Sequence, residues 1–534
     1  MSTPHIPSIT LIGDMLENFY QLGVKDKDAY PEVKKFFRHL IGDTNLITTS
    51  ALQTFHEFYF GKCLKHNPEF RSQVFAYAEG LGTDPKELSF ELLIPELLGS
   101  PGRFAPNLQK FLMGCSSLFR YDQKTDSIYH GRILDLPMVK LWEKHERVVN
   151  YRLKNSSKIH SFGVAGNPYP SYSAMNEMGL SLAVHQKYSQ FFNQEGHPIH
   201  YIAYKILSEC DSVKSVMKLL KSFPSMTYWG LYLSTREGKV IALDVCGDRI
   251  DKEEFDIKNV PFLYFNNAPI KVDQHNQNVL PYSIPRLNSE RNEVMQKRLK
   301  KFHKSTFKHD DMLNLLSEAE IRKSGEFPLQ APLTLSSVQI LSMNPKLLTA
   351  GYLLGDTPRF QDGKRIEIHF KSHIVDSTEL MTFASVEEKY KTGMRKLARS
   401  QFYFEQNELT ECFHEIQLAQ LYLKDFAEGV IADFYFGVFQ YLSASKKGDF
   451  QATLDMMIGL EKKLPEYLDE HRKLFIMRLE KILTKKTFIM EDDFKDKTMQ
   501  KYYSFEININ GLGLKLLRKL IYPKVDLGDV LYLY

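Results

Sequence analysis

The chain has 534 residues, of which 43% are hydrophobic and 25% are charged, and its formal net charge is +4. This length exceeds what one hydrophobic core supports comfortably, so two or three domains are expected, and the composition is that of a folded protein. The small net charge provides no basic surface of the kind that binds a phosphate backbone. Nucleic acid is therefore excluded as an expected partner.

Signals for export, membrane insertion and disulfide formation are not found in the sequence. The N-terminal residues lack a charged and apolar signal pattern, and no eighteen apolar residues run together. The cysteines are odd in number, far apart and without a Cys-x-x-Cys pair: Cys63, Cys115, Cys210, Cys246 and Cys412. This spacing favours neither a disulfide framework nor a structural zinc site. We therefore expect a cytoplasmic protein without a membrane span.

Three consecutive segments differ in their predicted secondary structure. Residues 1–114 read as helical, because stretches such as "PEVKKFFRHLIG", "NPEFRSQVFAYAEGLG" and "DPKELSFELLIPELL" combine amphipathic spacing with Pro and Gly at their ends. Residues 115–375 contain short runs rich in Val, Ile, Tyr and Phe, such as "SIYHGRIL", "LSLAVHQ" and "KVIALDVC", interrupted by two helical stretches. Residues 376–534 return to long helical patterns. The middle segment is thus predicted to be a strand-rich α+β domain with helices on its sheets.

The stretch "FLMGCSSLFRYDQKTDSIYHGRILDLP" contains the cysteine with the most reactive surroundings. A thiol of ordinary pKa is only slightly ionised at neutral pH, so a working cysteine needs a base or a positive charge beside it. Cutting the peptide bond before Cys115 creates such a base, the α-amino group of the cysteine itself. Gly114 favours this cut because it has no side chain to obstruct attack on its carbonyl and tolerates a strained conformation. The other four cysteines are expected to be small buried hydrophobic residues.

The same stretch resembles the start of the mature chain in the N-terminal-nucleophile cysteine hydrolases. This superfamily includes the choloylglycine (bile salt) hydrolases, acid ceramidase, N-acylethanolamine acid amidase and the isopenicillin-N acyltransferases. The resemblance implies that Cys115 follows the self-cleaved bond. Gly131, Arg132 and Asp135 match the Gly-Arg-Asn-x-Asp motif of the family, and Ile133 departs from it where the family usually has Asn.

Further motifs follow in the family's order. "YSAMNEMGLSLAVHQ" resembles the Met-Asn-Glu-x-Gly-Leu strand turn, and Asn176 within it is interpreted as structural. "FLYFNNAPIKVDQ" resembles the Thr-Asn-Ser-Pro segment and aligns Asn267 with the oxyanion asparagine. "LNSERNEVMQKRL" resembles the helix start that carries a second active-site arginine, here Arg291, with Arg286 as the competing candidate. The matches cover residues 75 to 360.

The resemblance implies a four-layer αββα sandwich at residues 115–375, preceded by a helical propeptide (1–114) and followed by a mostly helical extension (376–534). The implied function is that of an autoproteolytically activated cysteine amidohydrolase or acyltransferase. Its expected substrates are small molecules with a linear amide C–N bond, either N-acyl amines or N-acyl amino acids. The expected chemistry needs no metal and no organic cofactor.

The resemblance also implies a role for each site residue. Cys115 is the nucleophile, its α-amine is the base, Asp135 holds that amine, and Arg132 lowers the thiol pKa. Asn267 donates to the tetrahedral oxyanion together with a backbone N–H near His185 or Gln186. His130 and His185 are not expected to act as the base, because the mechanism does not require an imidazole.

Each assignment has an alternative. Arg132 and Asp135 also fit an ion pair in a surface turn, Asn267 fits a turn residue before Pro269, and Arg291 fits an exposed residue at a helix start. For the chain as a whole, the alternative is an uncleaved and catalytically silent relative. Such a protein would act through its C-terminal helices, which are the expected place for a protein partner.

Overall fold

The structure is a computed structural model of the chain. It describes residues 6–40, 61–99, 114–154, 156–189, 191–271, 283–302, 304, 306–326, 333–370, 376–379 and 385–518. The chain divides into two compact units. The first comprises Met1–Leu280, Arg291–Glu318 and Ser336–Ser385, and the second comprises Pro281–Glu290, Ala319–Leu335 and Val386–Tyr534.

The first unit is built around two β-sheets. Its strands are β1 (Ser8–Gly13), β2 (Gly114–Asp122), β3 (Ser127–Asp135), β4 (Glu146–Leu153), β5 (Ile159–Val164), β6 (Ser173–Asn176), β7 (Ser181–Gln186), β8 (Tyr228–Ser234), β9 (Lys239–Cys246), β10 (Arg249–Asp256), β11 (Leu263–Phe265), β12 (Ser337–Asn344), β13 (Thr349–Leu353), β14 (Arg365–His369) and β15 (Asp376–Glu379). One sheet has the order β1-β4-β5-β6-β7-β8-β9-β10, and the other has the order β11-β2-β3-β12-β13-β14-β15. Neighbouring strands are antiparallel except β1, which is parallel to β4.

The two sheets pack face to face through apolar side chains. One buried cluster joins Val148 and Phe162 of the eight-stranded sheet to Leu341 and Tyr352 of the seven-stranded sheet. A second cluster joins β2 and β3 to β8 and β9 in the same way. Because successive side chains of a strand point to opposite faces, the alternate residues of these strands face outward, where helices cover them.

The helices of the first unit lie in its N-terminal region and against the sheets. They are α1 (Met15–Asp26), α2 (Tyr30–Leu40), α3 (Pro68–Leu81), α4 (Pro85–Gly99), α5 (Leu141–His145), α6 (Ile199–Glu209), α7 (Val213–Ser222), the later part of α8 (Ser283–Lys301), and α9 (His309–Ser317). Helix α6 contacts β6 and β7, and α9 contacts β3, β12 and β13. The four-layer αββα sandwich predicted for this segment is thereby confirmed.

Helix α9 approaches the seven-stranded sheet closely because two glycines lie beneath it. A Cβ atom at Gly131 would lie 2.2 Å from the Sδ atom of Met312, and one at Gly351 would lie 2.6 Å from the Cβ of His309. Gly131 therefore has a packing reason to be glycine. It allows α9 to lie directly over β3, the strand that carries Arg132 and Asp135.

The N-terminal region has the predicted helices α2, α3 and α4 and, in addition, a strand. β1 was not expected from the sequence, and it joins the edge of the eight-stranded sheet beside β4. Buried polar contacts also connect this region to the sandwich: Asp26 pairs with Arg147 of β4, and the carboxylate of Glu96 accepts hydrogen bonds from the Ile199 N–H (2.5 Å) and the Trp229 indole (2.9 Å). The region is therefore packed against both helices and strands of the sandwich.

Strands continue slightly beyond residue 375, where the sequence pattern predicts that they stop. β15 pairs with β14 from Asp376 to Glu379, and the first compact unit continues to Ser385. The reason is that sheet membership depends on pairing with a neighbouring strand, and the short sequence "DSTE" carries little apolar periodicity of its own.

The second unit is helical in its described part. Its helices are α10 (Glu388–Glu405), α11 (Leu409–Leu423), α12 (Gly429–Ser443), α13 (Lys447–Gly459), α14 (Glu466–Thr484), α15 (Lys497–Glu506) and α16 (Gly511–Leu517). A buried ion pair links two of them, since the Arg478 guanidinium donates to both carboxylate oxygens of Glu506 at 2.6 and 2.5 Å. The mostly helical character predicted for the C-terminal segment is confirmed.

Candidate active site

Cys115 is the second residue of β2 and lies inside the first unit. Its side chain is 1% exposed. Burial raises the pKa of the Cys115 thiol, and the positive charge of Arg132 opposes this effect. All five cysteines of the chain are free thiols, and the sulfur of Cys115 accepts a hydrogen bond from the Arg132 guanidinium. The Arg132 charge thus offsets part of the cost that burial imposes on the Cys115 thiolate.

Arg132 faces Cys115 from the neighbouring strand β3. Its Nη2 atom donates to the Sγ atom of Cys115 at 3.0 Å and to the carbonyl oxygen of Val184 at 2.7 Å. Arg132 is fully buried and Asp135 is 2% exposed, so these two residues do not form a surface turn. The guanidinium instead lies between the sheets, held against both the thiol and the backbone of β7.

Asp135 and Arg291 form a buried ion pair beside Gly114. The Nη2 atom of Arg291 donates to Oδ2 of Asp135 at 2.6 Å, and the Ser337 hydroxyl donates to Oδ1 at 2.5 Å. Gly114 is opposite Asp135 in the β2–β3 register. A Cβ atom at Gly114 would lie 2.3 Å from Oδ2 of Asp135 and 2.9 Å from Nη2 of Arg291. Only glycine therefore fits at position 114, directly before Cys115 and against this ion pair.

The competing arginine lies elsewhere. Arg286 belongs to the second unit, where it is 3.3 Å from the carboxylate of Glu290 and stacks 3.7 Å from the centroid of the Tyr467 ring. Arg291 is 2% exposed and reaches Asp135. The structure thus brings Arg291 to Asp135 beside Gly114, and the described contacts of Arg286 with Glu290 and Tyr467 lie within the second unit.

Asn267 joins the backbone of Cys115 to the opposite strand. Its Oδ1 atom accepts from the Cys115 N–H at 2.7 Å, and its Nδ2 atom donates to the Gln186 carbonyl at 3.0 Å. The turn before Pro269 is stabilised by its neighbour, because Oδ1 of Asn266 accepts from the Ala268 N–H at 2.9 Å. In the intact chain Asn267 therefore holds the nitrogen of the bond predicted to be cut.

His130 and His185 lie in the same buried layer but bond to Ser117 rather than to Cys115. Their Nε2 atoms are 3.2 and 2.9 Å from the Ser117 hydroxyl. Burial, reinforced by the positive charge of Arg132, holds the pKa of both imidazoles well below its usual range, so both are neutral at physiological pH. This arrangement agrees with the expectation that neither imidazole serves the thiol as a base.

Sequence reasoning missed two polar residues at this site. Ser337 holds Asp135, and Lys187 lies fully buried directly after β7, with its ammonium 3.5 Å from Oδ1 of Asp244. The sequence contained a signal for this pair. Lys187 directly follows an uninterrupted buried strand, and Asp244 lies within the apolar run "KVIALDVC". A charge in such a run needs a buried partner.

The described residues contain no group of three or more His, Cys, Asp and Glu side chains placed to hold a metal ion. Among their helices, none is long and apolar enough to cross a membrane.

Replacing Arg132 by methionine is expected to raise the pKa of the Cys115 thiol, because the nearest positive charge is removed while the apolar stem remains. A rise of one unit lowers the thiolate fraction, and with it the rate below that pKa, about tenfold. The pH dependence of Cys115 alkylation should therefore shift to higher pH. Arg298→Met is the matched control, since Arg298 is a buried arginine that donates to the carbonyls of Leu315 and Glu318. Identical profiles for Arg132→Met and wild type would contradict a role at the thiol.

The fold and this constellation can be compared with known proteins. No protein-family model and no curated protein matches the sequence. Solved structures that are similar include the N-acylethanolamine-hydrolyzing acid amidase ortholog of Caenorhabditis elegans (16% identity, TM-score 0.30, 44% of this chain and 94% of that chain). Others are a mutant conjugated bile acid hydrolase from Clostridium perfringens (12%, 0.33, 51% and 99%) and penicillin V acylase from Agrobacterium tumefaciens (12%, 0.27, 51% and 100%). Two of these proteins, the acid amidase and the bile acid hydrolase, belong to groups that the sequence motifs resemble.

Proposed function

We propose that the chain is a cysteine amidohydrolase that activates itself by cutting the bond between Gly114 and Cys115. The Cys115 sulfur attacks the Gly114 carbonyl, and the N-to-S acyl shift breaks the C–N bond, which frees the Cys115 α-amine and leaves a thioester. Water then hydrolyses the thioester to the Gly114 carboxylate and the free Cys115 thiol. The same sulfur then attacks the carbonyl of an amide substrate, and the Cys115 α-amine accepts and returns the proton. The proposed substrates are linear N-acyl amines or N-acyl amino acids, with hydrolysis or acyl transfer as the outcome.

One observation carries this proposal: every polar group that the chemistry needs converges on the two residues of the scissile bond. Arg132 contacts the sulfur at 3.0 Å, and Asn267 holds the nitrogen at 2.7 Å. Asp135 and Arg291 lie against Gly114 so closely that no side chain fits there. A buried cysteine that served only packing would not need two buried arginines within one site, because burying such charges is costly.

The position of the N-terminal region supports its assignment as a propeptide. The carbonyl of Pro95 in α4 lies 3.4 Å from Nε2 of Gln186, and the backbone carbonyl of Gln186 bonds Asn267. With β1 in the sheet and Asp26 paired to Arg147, the fragment 1–114 would stay bound after cleavage. The N-terminal region thus contacts Gln186, the residue whose backbone bonds Asn267.

The test is to measure the purified chain by denaturing and native mass spectrometry, by N-terminal sequencing, and with a panel of N-acyl amides. We expect masses for fragments 1–114 and 115–534 under denaturing conditions, one complex under native conditions, and Cys115 at the new N-terminus. An uncut chain that hydrolyses amides would refute the mechanism. An uncut and inert chain would favour the silent interaction protein.

Asn267→Ala is expected to lower turnover by about 10² to 10³, which is the usual loss for one oxyanion donor. In the intact chain the Oδ1 and Nδ2 atoms of Asn267 are both hydrogen-bonded. Asn267 therefore stabilises the oxyanion only after its Nδ2 breaks the bond to the Gln186 carbonyl and donates to the oxyanion instead. Processing should slow as well, because the Cys115 N–H loses its acceptor. Asn344→Ala removes another fully buried amide, which donates to the Ser127 hydroxyl at 2.8 Å, and serves as the control in kcat measurements. If a folded Asn267→Ala variant has a kcat within a few-fold of wild type, the oxyanion is stabilised by another group.

A further inference from the structure

A fully buried cation lies next to the segment that carries Asn267. Lys187 is 1% exposed, and its ammonium donates to the Tyr232 hydroxyl at 2.9 Å, to the Asn266 carbonyl at 3.4 Å and to the Ala268 carbonyl. The last two acceptors flank Asn267 on either side. The lysine thus holds the backbone immediately before and immediately after the asparagine.

Asp244 completes this arrangement from strand β9. Its Oδ1 atom is 3.5 Å from the Lys187 ammonium, and its Oδ2 atom accepts from the Ile270 N–H at 2.7 Å and from the Tyr228 hydroxyl at 2.9 Å. The ion pair therefore fixes the segment 266–270 at three backbone positions.

Gly230 of strand β8 leaves the space that the Lys187–Asp244 ion pair occupies. A Cβ atom at Gly230 would lie 2.7 Å from the Cε atom of Lys187 and 3.4 Å from Oδ1 of Asp244. An isolated buried ion pair is weak as a source of stability, since desolvating the two charges offsets much of their attraction. The pair instead sets the position of the backbone that it holds.

We propose that Lys187 and Asp244 are positioning residues that act on Cys115 through Asn267, by fixing the segment 266–270 opposite β2. Neither residue needs to touch the substrate. Asn267 spans from the Cys115 nitrogen to the Gln186 carbonyl through bonds of 2.7 and 3.0 Å, so a shift of its backbone breaks at least one of them. This role rests on the proposed amidohydrolase function of the same site.

The test uses Lys187→Met combined with Asp244→Asn, a pair that leaves no uncompensated buried charge. A misplacement of about 1 Å at a reacting centre costs on the order of 10² in rate, and we expect kcat per processed chain to fall by about that factor with KM within about threefold. The matched control is Lys481→Met in the helical unit, because Lys481 likewise donates to two backbone carbonyls, those of Glu506 and Ile507. It should lower the melting temperature without changing kcat.

A double-mutant cycle separates positioning from plain structural support. If the pair acts through Asn267, adding Lys187→Met and Asp244→Asn to Asn267→Ala should lower kcat by less than about threefold further. Multiplicative losses would overturn the proposal, and so would wild-type kcat in the Lys187→Met/Asp244→Asn variant. Gly230→Ala tests the same idea without changing a charge, since its methyl group displaces the lysine stem, and it should reproduce the loss in kcat.

Hydrogen exchange distinguishes failure of this proposal from failure of the proposed function. The Ile270 amide, bonded to Asp244, should lose protection in a Lys187→Met/Asp244→Leu variant, which keeps no acceptor at position 244, whether or not the chain hydrolyses amides. Unchanged protection there would refute the anchoring itself. If the wild type is processed and active and the Lys187→Met/Asp244→Asn variant has the same kcat, only the positioning role is refuted. A wild type that is neither cut nor active would refute the proposed function and this role with it.

Discussion

Cys115→Ala is expected to leave the 534-residue chain whole and to reduce amide hydrolysis to background. The reason is chemical, because the base proposed for hydrolysis is the α-amine of Cys115, and that amine exists only after the bond from Gly114 is cut. Removing the nucleophile of a hydrolase costs on the order of 10⁶ in kcat. Intact mass and N-terminal sequencing on fresh and aged samples measure the first effect, and turnover of N-acyl amides measures the second.

Two further variants make this result specific. Cys115→Ser should be processed slowly or in part, since a hydroxyl can attempt the N-to-O shift but is a poorer nucleophile than a thiolate. Cys412→Ala removes another fully buried thiol, in the helical unit, and should be processed and turn over as wild type. If Cys115→Ala is still cut before residue 115, another nucleophile or a separate protease performs the cleavage.

Asp135→Ala is expected to abolish processing and to lower the free energy of unfolding by about 3–5 kcal/mol, the usual loss when one partner of a buried ion pair is removed. Arg291, 2% exposed, would be left without its carboxylate, and the Ser337 hydroxyl would lose its acceptor. Denaturant unfolding measures the stability, and intact mass measures the processing.

The double variant Asp135→Asn/Arg291→Gln separates the two effects. It removes both charges, so it should regain most of the stability while remaining unprocessed. Glu146→Ala is the matched control, because Glu146 forms a comparable buried pair with Arg359 at 2.6 Å in the same unit. It should be destabilised to a similar extent yet be processed in the fraction that folds. If the double variant is processed and active, Asp135 and Arg291 contribute to stability only and not to the chemistry at Cys115.

Secondary structure was predictable wherever a segment's own pattern is strong. The helices at 30–40, 68–81 and 85–99 follow amphipathic spacing with Pro and Gly at their ends. The buried strands β2, β3, β7 and β9 contain short runs rich in Val, Ile, Leu, Tyr and Phe. The strands β1 and β15 were missed or misplaced. Both are short and lie at sheet edges, where pairing with β4 and β14 decides their conformation.

The sequence by itself determined the chemistry open to Cys115 after a cut at Gly114. Its resemblance to the family motifs supplied the expected fold and the candidates Arg132, Asp135 and Asn267, because motif matching depends on residue type and order along the chain. Only the tertiary structure decided between Arg291 and Arg286, since both lie within one helix and the choice depends on which side chain reaches Asp135. Only the tertiary structure joined Lys187 to Asp244 and both to the segment of Asn267. These residues lie far apart along the chain, and a buried charge finds its partner across strands, where sequence spacing carries no information.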